Sequence, residues 1–226
     1  MLTSKPKAGG SDDAALSATP GLTKPRDSRI FAREEHDHYI EPFACSERLF
    51  EVETFSHLLW DPACGWGRIV ASALAAGYAV RGTDIVDRYM EPRFAWSGCR
   101  DFLACEPLPA KLINGRDVVC NPPFDLFQRF AKRALSLPTQ KVAMIWLWRR
   151  LPAAGWLAST PLARVWLMTP RPSMPTGEFI KRVERGERDP KTGKPLRVGG
   201  GTQDFAWLVW DKAYAGKPEM RWLTKR

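Results

Sequence analysis

His57-Leu58-Leu59-Trp60-Asp61-Pro62-Ala63-Cys64-Gly65-Trp66-Gly67-Arg68-Ile69-Val70-Ala71-Ser72-Ala73-Leu74-Ala75-Ala76 is the stretch on which the fold reading turns. Its first four residues predict a buried strand, Asp61 to Gly67 a glycine-bearing turn, and Arg68 to Ala76 a helix closed by Gly77. Gly65 and Gly67 permit positive φ and, having no Cβ, let a ligand approach the main chain. The turn lacks the Gly-x-x-x-x-Gly-Lys-Ser/Thr phosphate cradle, and Asp61 at its entry is a poor neighbour for a triphosphate. An acidic entry suits a cationic or zwitterionic ligand. A Gly-x-Gly pair on its own also serves tight strand-to-helix turns for steric reasons.

Downstream, Tyr78-Ala79-Val80-Arg81-Gly82-Thr83-Asp84 predicts a second strand ending on an acid. In doubly wound sheets an acid there, about 20 residues beyond the glycine turn, takes ribose hydroxyls. Asp84 lies 23 residues after Asp61. A turn or capping role is the plainer reading of Asp84, and Asp87 competes for the ribose role. From Arg88 to Cys99 the chain is aromatic without a clear period. Asp101-Phe102-Leu103 follows, placed to tip a third strand. There an acid beside an aromatic ring suits an adenine amino group and face, while Phe102 serves equally as core.

Val118-Val119-Cys120 predicts a fourth strand, and Asn121-Pro122-Pro123-Phe124 ends it. Two prolines in succession hold Asn121 extended and stop any helix. The corner gathers an amide side chain, carbonyls without competing N–H groups and an aromatic ring, a set that suits a planar group bearing NH2. Leu126, Phe127, Phe130, Ala131, Ala134 and Leu135 then mark an amphipathic helix that Pro138 terminates. Lys141 to Trp148 and Ala163 to Met168 predict fifth and sixth strands. Asp204-Phe205-Ala206-Trp207-Leu208-Val209-Trp210, apolar on both faces, predicts a last strand inside the sheet. Strands alternating with helices imply an α/β, Rossmann-like, doubly wound, mainly parallel seven-stranded sheet covered on both faces.

Between these last two strands, residues 170–202 are rich in Pro, Gly and charge and predict a long mobile loop or hairpin. Within it, over 181–197, Lys181, Arg182, Arg185, Arg188, Lys191, Lys194 and Arg197 oppose only Glu184, Glu187 and Asp189, a local excess of seven minus three positive charges. That excess suits either a solvated loop or contact with a phosphate backbone. Upstream, residues 1–29 show no period and are expected to form a disordered tail, with order beginning near Ile30. His36 and His38 are expected in a solvated loop, and Glu47-Arg48-Leu49-Phe50 in a short helix.

The 226 residues, 44% hydrophobic, favour a single domain over 30–226, and the net charge of +9 favours an anionic partner. Nucleic acid is the commonest one for a basic chain. No apolar run approaches the ~18 residues of a membrane span and no apolar signal core opens the sequence, so a cytoplasmic protein with no membrane partner is expected. Five cysteines without a Cys-x-x-Cys pair argue for free thiols and against a disulfide framework or a metal site.

In order and spacing, Asp61-Pro62-Ala63-Cys64-Gly65-Trp66-Gly67, Asp84, Asp101-Phe102 and Asn121-Pro122-Pro123-Phe124 resemble the amino-group class of S-adenosylmethionine-dependent methyltransferases. The likeness is greatest to bacterial and phage N6-adenine DNA methyltransferases. The resemblance covers roughly Tyr39 to Trp210. It implies a class I methyltransferase fold, S-adenosyl-L-methionine as cofactor, and DNA as partner. It implies that Asp61, Ala63, Cys64, Gly65 and Gly67 hold the methionine part, Asp84 the ribose, and Asp101 with Phe102 the adenine. Tyr39 and Pro42 look like the family's aromatic-proline motif near the cofactor. Asn121, Pro122, Pro123 and Phe124 would form the catalytic corner, with Asn121 Oδ1 and the Pro122 carbonyl accepting the two N6 hydrogens and Phe124 stacking on the base. Because N6 is tied up in a duplex, the base must be flipped out or arrive single-stranded. Sequence-specific members carry a sizeable recognition domain, whereas about a hundred residues follow Phe124 here. Specificity is then expected to be weak, short, or carried by 170–202 with help from another chain. The same corner suits RNA adenine or a protein glutamine, and a non-catalytic nucleic-acid-binding module is the reading from another class.

Overall fold

The structure, a computed structural model, describes residues 39–90, 93–104 and 107–224, leaving aside the side chain of residue 93. The expected tail over 1–29, the onset of order near Ile30, the His36 and His38 loop and Cys105 lie outside the described residues.

Helix α1 (Phe43–Val52) opens the fold with Pro42 as its N-cap, four residues earlier than Glu47 suggested. Strands β1 (Leu58–Asp61), β2 (Ala79–Asp84), β3 (Trp96–Cys99), β4 (Arg116–Cys120) and β5 (Lys141–Leu147) follow. Among them lie α2 (Arg68–Ala75), the short α3 (Ala110–Ile113) and α4 (Phe127–Leu135). The chain closes with β6 (Leu162–Thr169), α5 (Gly177–Glu184), β7 (Phe205–Asp211) and β8 (Glu219–Thr224). The aromatic stretch without a period, 88–99, contains a 3-10 turn over Arg93–Ala95 and all of β3.

The strands form one sheet in the order β3-β2-β1-β4-β5-β7-β6-β8. Among the described residues only the β5–β7 and β6–β7 pairings are antiparallel. The expected doubly wound, mainly parallel sheet is present, with eight strands among those residues, not seven. The extra strand, β8, pairs parallel with β6 along the sheet edge. Leu223 is its one buried residue. A strand with a single apolar anchor gives no alternation for a sequence pattern to reveal. By contrast, β7 is buried from Phe205 to Trp210, and both its tryptophans are hydrogen-bonded: Trp207 Nε1 donates to Cys45 O and Trp210 Nε1 to Thr160 Oγ1, each at 2.9 Å.

Two features bring the functional stretches together. From the centre the chain steps β1 to β2 to β3 one way and β4 to β5 the other, so β1 and β4 are neighbours whose connections diverge. Right-handed crossovers in opposite directions place α2 and α4 on opposite faces and leave a crevice at the carboxyl ends of β1 and β4. At the other end, buried Asp117 accepts from the N–H groups of Ser56 (2.7 Å), Gln140 (3.0 Å) and Lys141 (2.7 Å), tying the amino ends of β1, β4 and β5 in register. A carboxylate with three backbone donors is satisfied in the core, so its burial does not cost an unpaired charge.

The region 170–202 departs from the expected loop. Thr176 Oγ1 accepts from Phe179 N and caps α5, which the Pro and Gly around it concealed. After α5 the expected hairpin is present but small, with Arg188 bridging to Pro195 and Asp189 N donating to Lys194 O. At its base Gly201 packs against Pro172 O too closely to admit a Cβ, and Arg171 pairs with Asp204. Among the described residues no helix is long and apolar enough to cross a membrane, and no group of three His, Cys, Asp or Glu is arranged to hold a metal. Cys45, Cys64, Cys99 and Cys120 are free thiols.

Candidate active site at the carboxyl ends of the strands

At the end of β1 the chain reverses on Asp61, whose Oδ1 accepts from Ala63 N at 3.1 Å. Gly65 (φ 49°) and Gly67 (φ 89°) then adopt the left-handed backbone that their lack of a Cβ allows. The turn is stitched to β2: Cys64 N donates to Thr83 O at 3.0 Å, and Gly65 N to Asp84 Oδ2 at 2.8 Å. Asp84 Oδ1 also accepts from Val86 N at 3.1 Å. Each carboxylate oxygen has two lone pairs, so Asp84 keeps acceptor capacity toward the crevice.

A cavity of about 350 Å³ opens at this point. Ala63, Cys64 and Gly65 line one wall, Asp84, Asp101 and Phe102 a second, and Tyr39, Glu41, Asn121 and Pro123 a third. The glycine turn, the acid of β2, the Asp-Phe pair and the proline corner, spread over 60 residues of sequence, thus share one chamber. Asp101 Oδ1 accepts from Leu103 N at 2.8 Å, and Phe102 packs edge-on to Trp60 at 5.3 Å between ring centres. Phe102 therefore serves the core and the cavity wall at once.

Five of the sequence-selected residues stand elsewhere. Asp61 is buried behind the turn and does not line the cavity. Gly67 is the left-handed N-cap of α2, and Pro42 lines a smaller separate pocket of about 140 Å³. Phe124, read from sequence as a platform for a base, does not line the cavity either. Its ring lies near-parallel to Tyr39 at 5.9 Å and against Phe205 at 5.6 Å, leaving it 8% exposed. The aromatic wall of the cavity on that side is Tyr39. Pro122 is buried beneath the corner.

Asn121 is held tightly. Its Nδ2 donates to Glu41 Oε2 at 2.9 Å and to Tyr39 O at 3.2 Å, while its Oδ1 is buried with no partner. Buried acceptors without donors are rare in folded proteins and mark places where a ligand group belongs. Asp61 Oδ2 is a second one. Burial pushes the Asp61 carboxyl well above the usual range, with Glu41 and then Asp84 adding charge repulsion. Burial likewise pushes Glu41 up to about 7, against the opposing hydrogen bond from Asn121 and the charge of Arg68. Crowded, desolvated acids beside an unpaired oxygen are relieved by a cation.

Three residues of this site escaped the sequence reading. Glu41 stands between the two flagged residues Tyr39 and Pro42, but its contact with Asn121 spans 80 residues. Arg68 lines the cavity and donates to Glu41 O at 3.2 Å. Arg150, after β5, donates to Phe124 O at 3.0 Å and pairs with Asp125 at 2.9 Å, fixing the proline corner from behind. An Arg-Arg pair directly after a buried strand was the available signal.

The seven basic residues of 181–197 divide in two. Arg182 is paired with Glu187, and Arg185 with Glu178 and Glu187. Lys181, Arg188, Lys191, Lys194 and Arg197 are exposed, and among the described residues none is in an ion pair. The segment leaves the sheet at the carboxyl end of β6, the same end as the cavity. It touches the cavity wall directly, since Ile40 N donates to Pro175 O at 2.8 Å and Tyr39 bridges to Thr176.

No protein-family model matches the chain, and no curated protein matches it by sequence. Solved structures do match. A candidate RNA methyltransferase from Pyrococcus horikoshii superposes with a TM-score of 0.54 at 14% identity, over 81% of this chain and 93% of that one. The type I restriction-modification methyltransferase subunit from Streptococcus thermophilus gives 0.53 at 10% identity over 81% of this chain; the match spans 47% of that subunit, about half its length. A predicted O-methyltransferase from Agrobacterium tumefaciens gives 0.50 at 10% identity, over 82% and 86% of the two chains. The fold is that of the class I, Rossmann-like methyltransferases.

Proposed function

We propose that the chain transfers a methyl group from S-adenosyl-L-methionine to the exocyclic N6 of adenine in DNA. The observation that carries this reading is the single chamber that joins the glycine turn to Asn121, whose buried Oδ1 lacks a donor. When bound, S-adenosyl-L-methionine would supply an electrophilic methyl on a sulfonium. The protein's residues fit that cation: the unpaired Asp61 Oδ2 and the crowded acids Glu41 and Asp84 favour positive charge, while Arg68 is available to a carboxylate. Asp84 retains acceptors for ribose hydroxyls, and Asp101 with Phe102 offers an acceptor and an apolar face to an adenine ring.

The adenine N6 lone pair is delocalised into its ring and is a poor nucleophile. Asn121 Oδ1, accepting an N6 hydrogen, would favour a pyramidal nitrogen with its lone pair turned to the methyl donor, and the Pro122 carbonyl is the expected second acceptor. Positioning of this kind supplies up to ~7–11 kcal/mol of a barrier. Tyr39, on the cavity wall, is better placed than Phe124 to cover the base. The exposed cations of 170–202, tied to the cavity wall through Thr176, support a polyanionic substrate over a protein amide. The order of motifs and the proline corner support DNA adenine among polyanions.

The test is transfer of radiolabelled methyl to a panel of DNA and RNA, with the product base identified. N6-methyladenine in DNA is expected. Label in RNA alone would move the substrate to RNA, and no label in any polymer despite normal cofactor binding would end the reading.

A further inference from the structure

We propose that Glu41 is a positioning residue for Asn121, a carboxylate that locks the amide with Nδ2 turned to itself and Oδ1 kept free to accept. The inference deepens the function proposed above and rests on it for its catalytic consequence, though not for the lock itself.

A primary amide is nearly symmetric in shape, and a half-turn exchanges its oxygen for its nitrogen. Only one orientation can accept a hydrogen from an amino group; the other sets a donor against donors. Two acceptors decide the matter here. Nδ2 points at Glu41 Oε2 (2.9 Å) and Tyr39 O (3.2 Å), and an ionised carboxylate cannot donate. Turning the amide would set Oδ1 against both oxygens. The observed orientation therefore leaves Oδ1 buried and unpartnered, a cost that the charge-assisted bond to Glu41 offsets.

The lock is itself held. Glu41 is 7% exposed, its carbonyl accepts from Arg68, and the preceding Ile40 N–H is bonded to Pro175 O. Its charged and titratable neighbours are Cys45 on α1, Asp61 at the end of β1, Cys64 in the glycine turn, Arg68 at the start of α2 and Cys120 at the end of β4. With its ionisation pushed up to about 7, Glu41 changes state near neutrality. Once protonated it carries an O–H donor, which can satisfy the turned amide's oxygen. The orientation is then no longer enforced.

Side-chain amide NMR of the full chain tests the lock without any substrate, the Asn121 resonances being assigned by their loss in Asn121→Ala. The wild-type Asn121 amide is expected to titrate with a midpoint near 7, and in Glu41→Gln to lose that titration. In single-turnover methyl transfer at saturating S-adenosyl-L-methionine Glu41→Gln is expected to be slower by about tenfold and without the wild type's loss of rate below pH 7. An Asn121 amide that does not move between about pH 5.5 and 8.5 would overturn the proposal. So would a Glu41→Gln variant with the wild-type rate and pH profile. If the wild type methylates no polymer while the Asn121 amide still titrates with Glu41, the lock stands and the proposed function fails.

Discussion

Gly65 N donates to Asp84 Oδ2 at 2.8 Å, so the glycine turn after β1 and the acid that ends β2 are one hydrogen-bonded unit. The residue expected to hold ribose also shapes the turn expected to hold methionine. Asp84→Ala should therefore weaken cofactor binding by about 10- to 100-fold, because it removes both an acceptor and the turn's support, a loss of about 1.5–3 kcal/mol. Asp84→Asn, which can still accept from Gly65, should fall between that variant and the wild type. Calorimetric titration checks the order.

Gly82 in β2 leaves no room behind the turn. A Cβ there would lie 3.0 Å from Cys64 Sγ and 3.2 Å from Val70 Cγ2. Gly82→Ala should cost about 1–3 kcal/mol of stability and displace the turn, raising the cofactor's Kd. Cys64→Ala, which removes the closest atom, should recover part of both losses in the double variant. Urea denaturation and binding of the four proteins form the cycle.

Arg150 supports the proline corner without lining the cavity. Arg150→Met should remove the 3.0 Å bond to Phe124 O and the 2.9 Å pair with Asp125. The expected result is a fall of about tenfold in the rate of transfer with cofactor affinity unchanged. Rapid-quench single-turnover kinetics beside calorimetry separates the two.

Acidity gives a signed prediction. Glu41 ionises at about 7 in the fold against an ordinary 4.5, so between those values the folded protein keeps a proton that the unfolded chain has released. Its contribution to stability is fully present below about pH 4.5 and is lost as pH rises through about 7, roughly 3 kcal/mol over the window. Between pH 5 and 8 the ligand-free wild type should lose more stability than Glu41→Gln by about that amount. A cation favours the ionised acids, so cofactor affinity should rise with pH over the same interval. Urea midpoints and Kd values at several pH values measure both.

The basic segment predicts a division among its cations. Neutralising Lys191, Lys194 or Arg197, which are exposed, should weaken nucleic-acid binding and flatten its salt dependence by about 0.9 per lost phosphate contact. Arg182→Gln breaks an ion pair with Glu187 and should act on the hairpin before it acts on binding. Fluorescence anisotropy against salt concentration distinguishes the two groups.

Much of this site was legible because its parts are short strings with local causes. Gly65 and Gly67 announce a left-handed turn, and Pro122 and Pro123 announce a stop, whatever surrounds them. Their meeting follows from strand order, since β1 and β4 sit side by side where the windings diverge. What stayed hidden depends on distance in the chain or on exposure. Glu41 and Asn121 are 80 residues apart and carry no shared pattern. Strand β8 buries only Leu223, so its outward Met220 and Trp222 read as surface. Helix α5 is short and set among prolines and glycines, and only its Thr176 cap marks it. Phe124 was half legible: its place in the motif could be read, but Tyr39 and Phe205 decide where its ring rests.

In the proposed reaction Asn121 aligns the accepting amino group while the glycine turn binds the donor independently. Single-turnover transfer to DNA by Asn121→Ala, run beside calorimetry with S-adenosyl-L-methionine, tests it most directly. Transfer is expected to be at least ~100-fold slower with Kd within about twofold of the wild type. Weakened cofactor binding with the transfer step intact would contradict it.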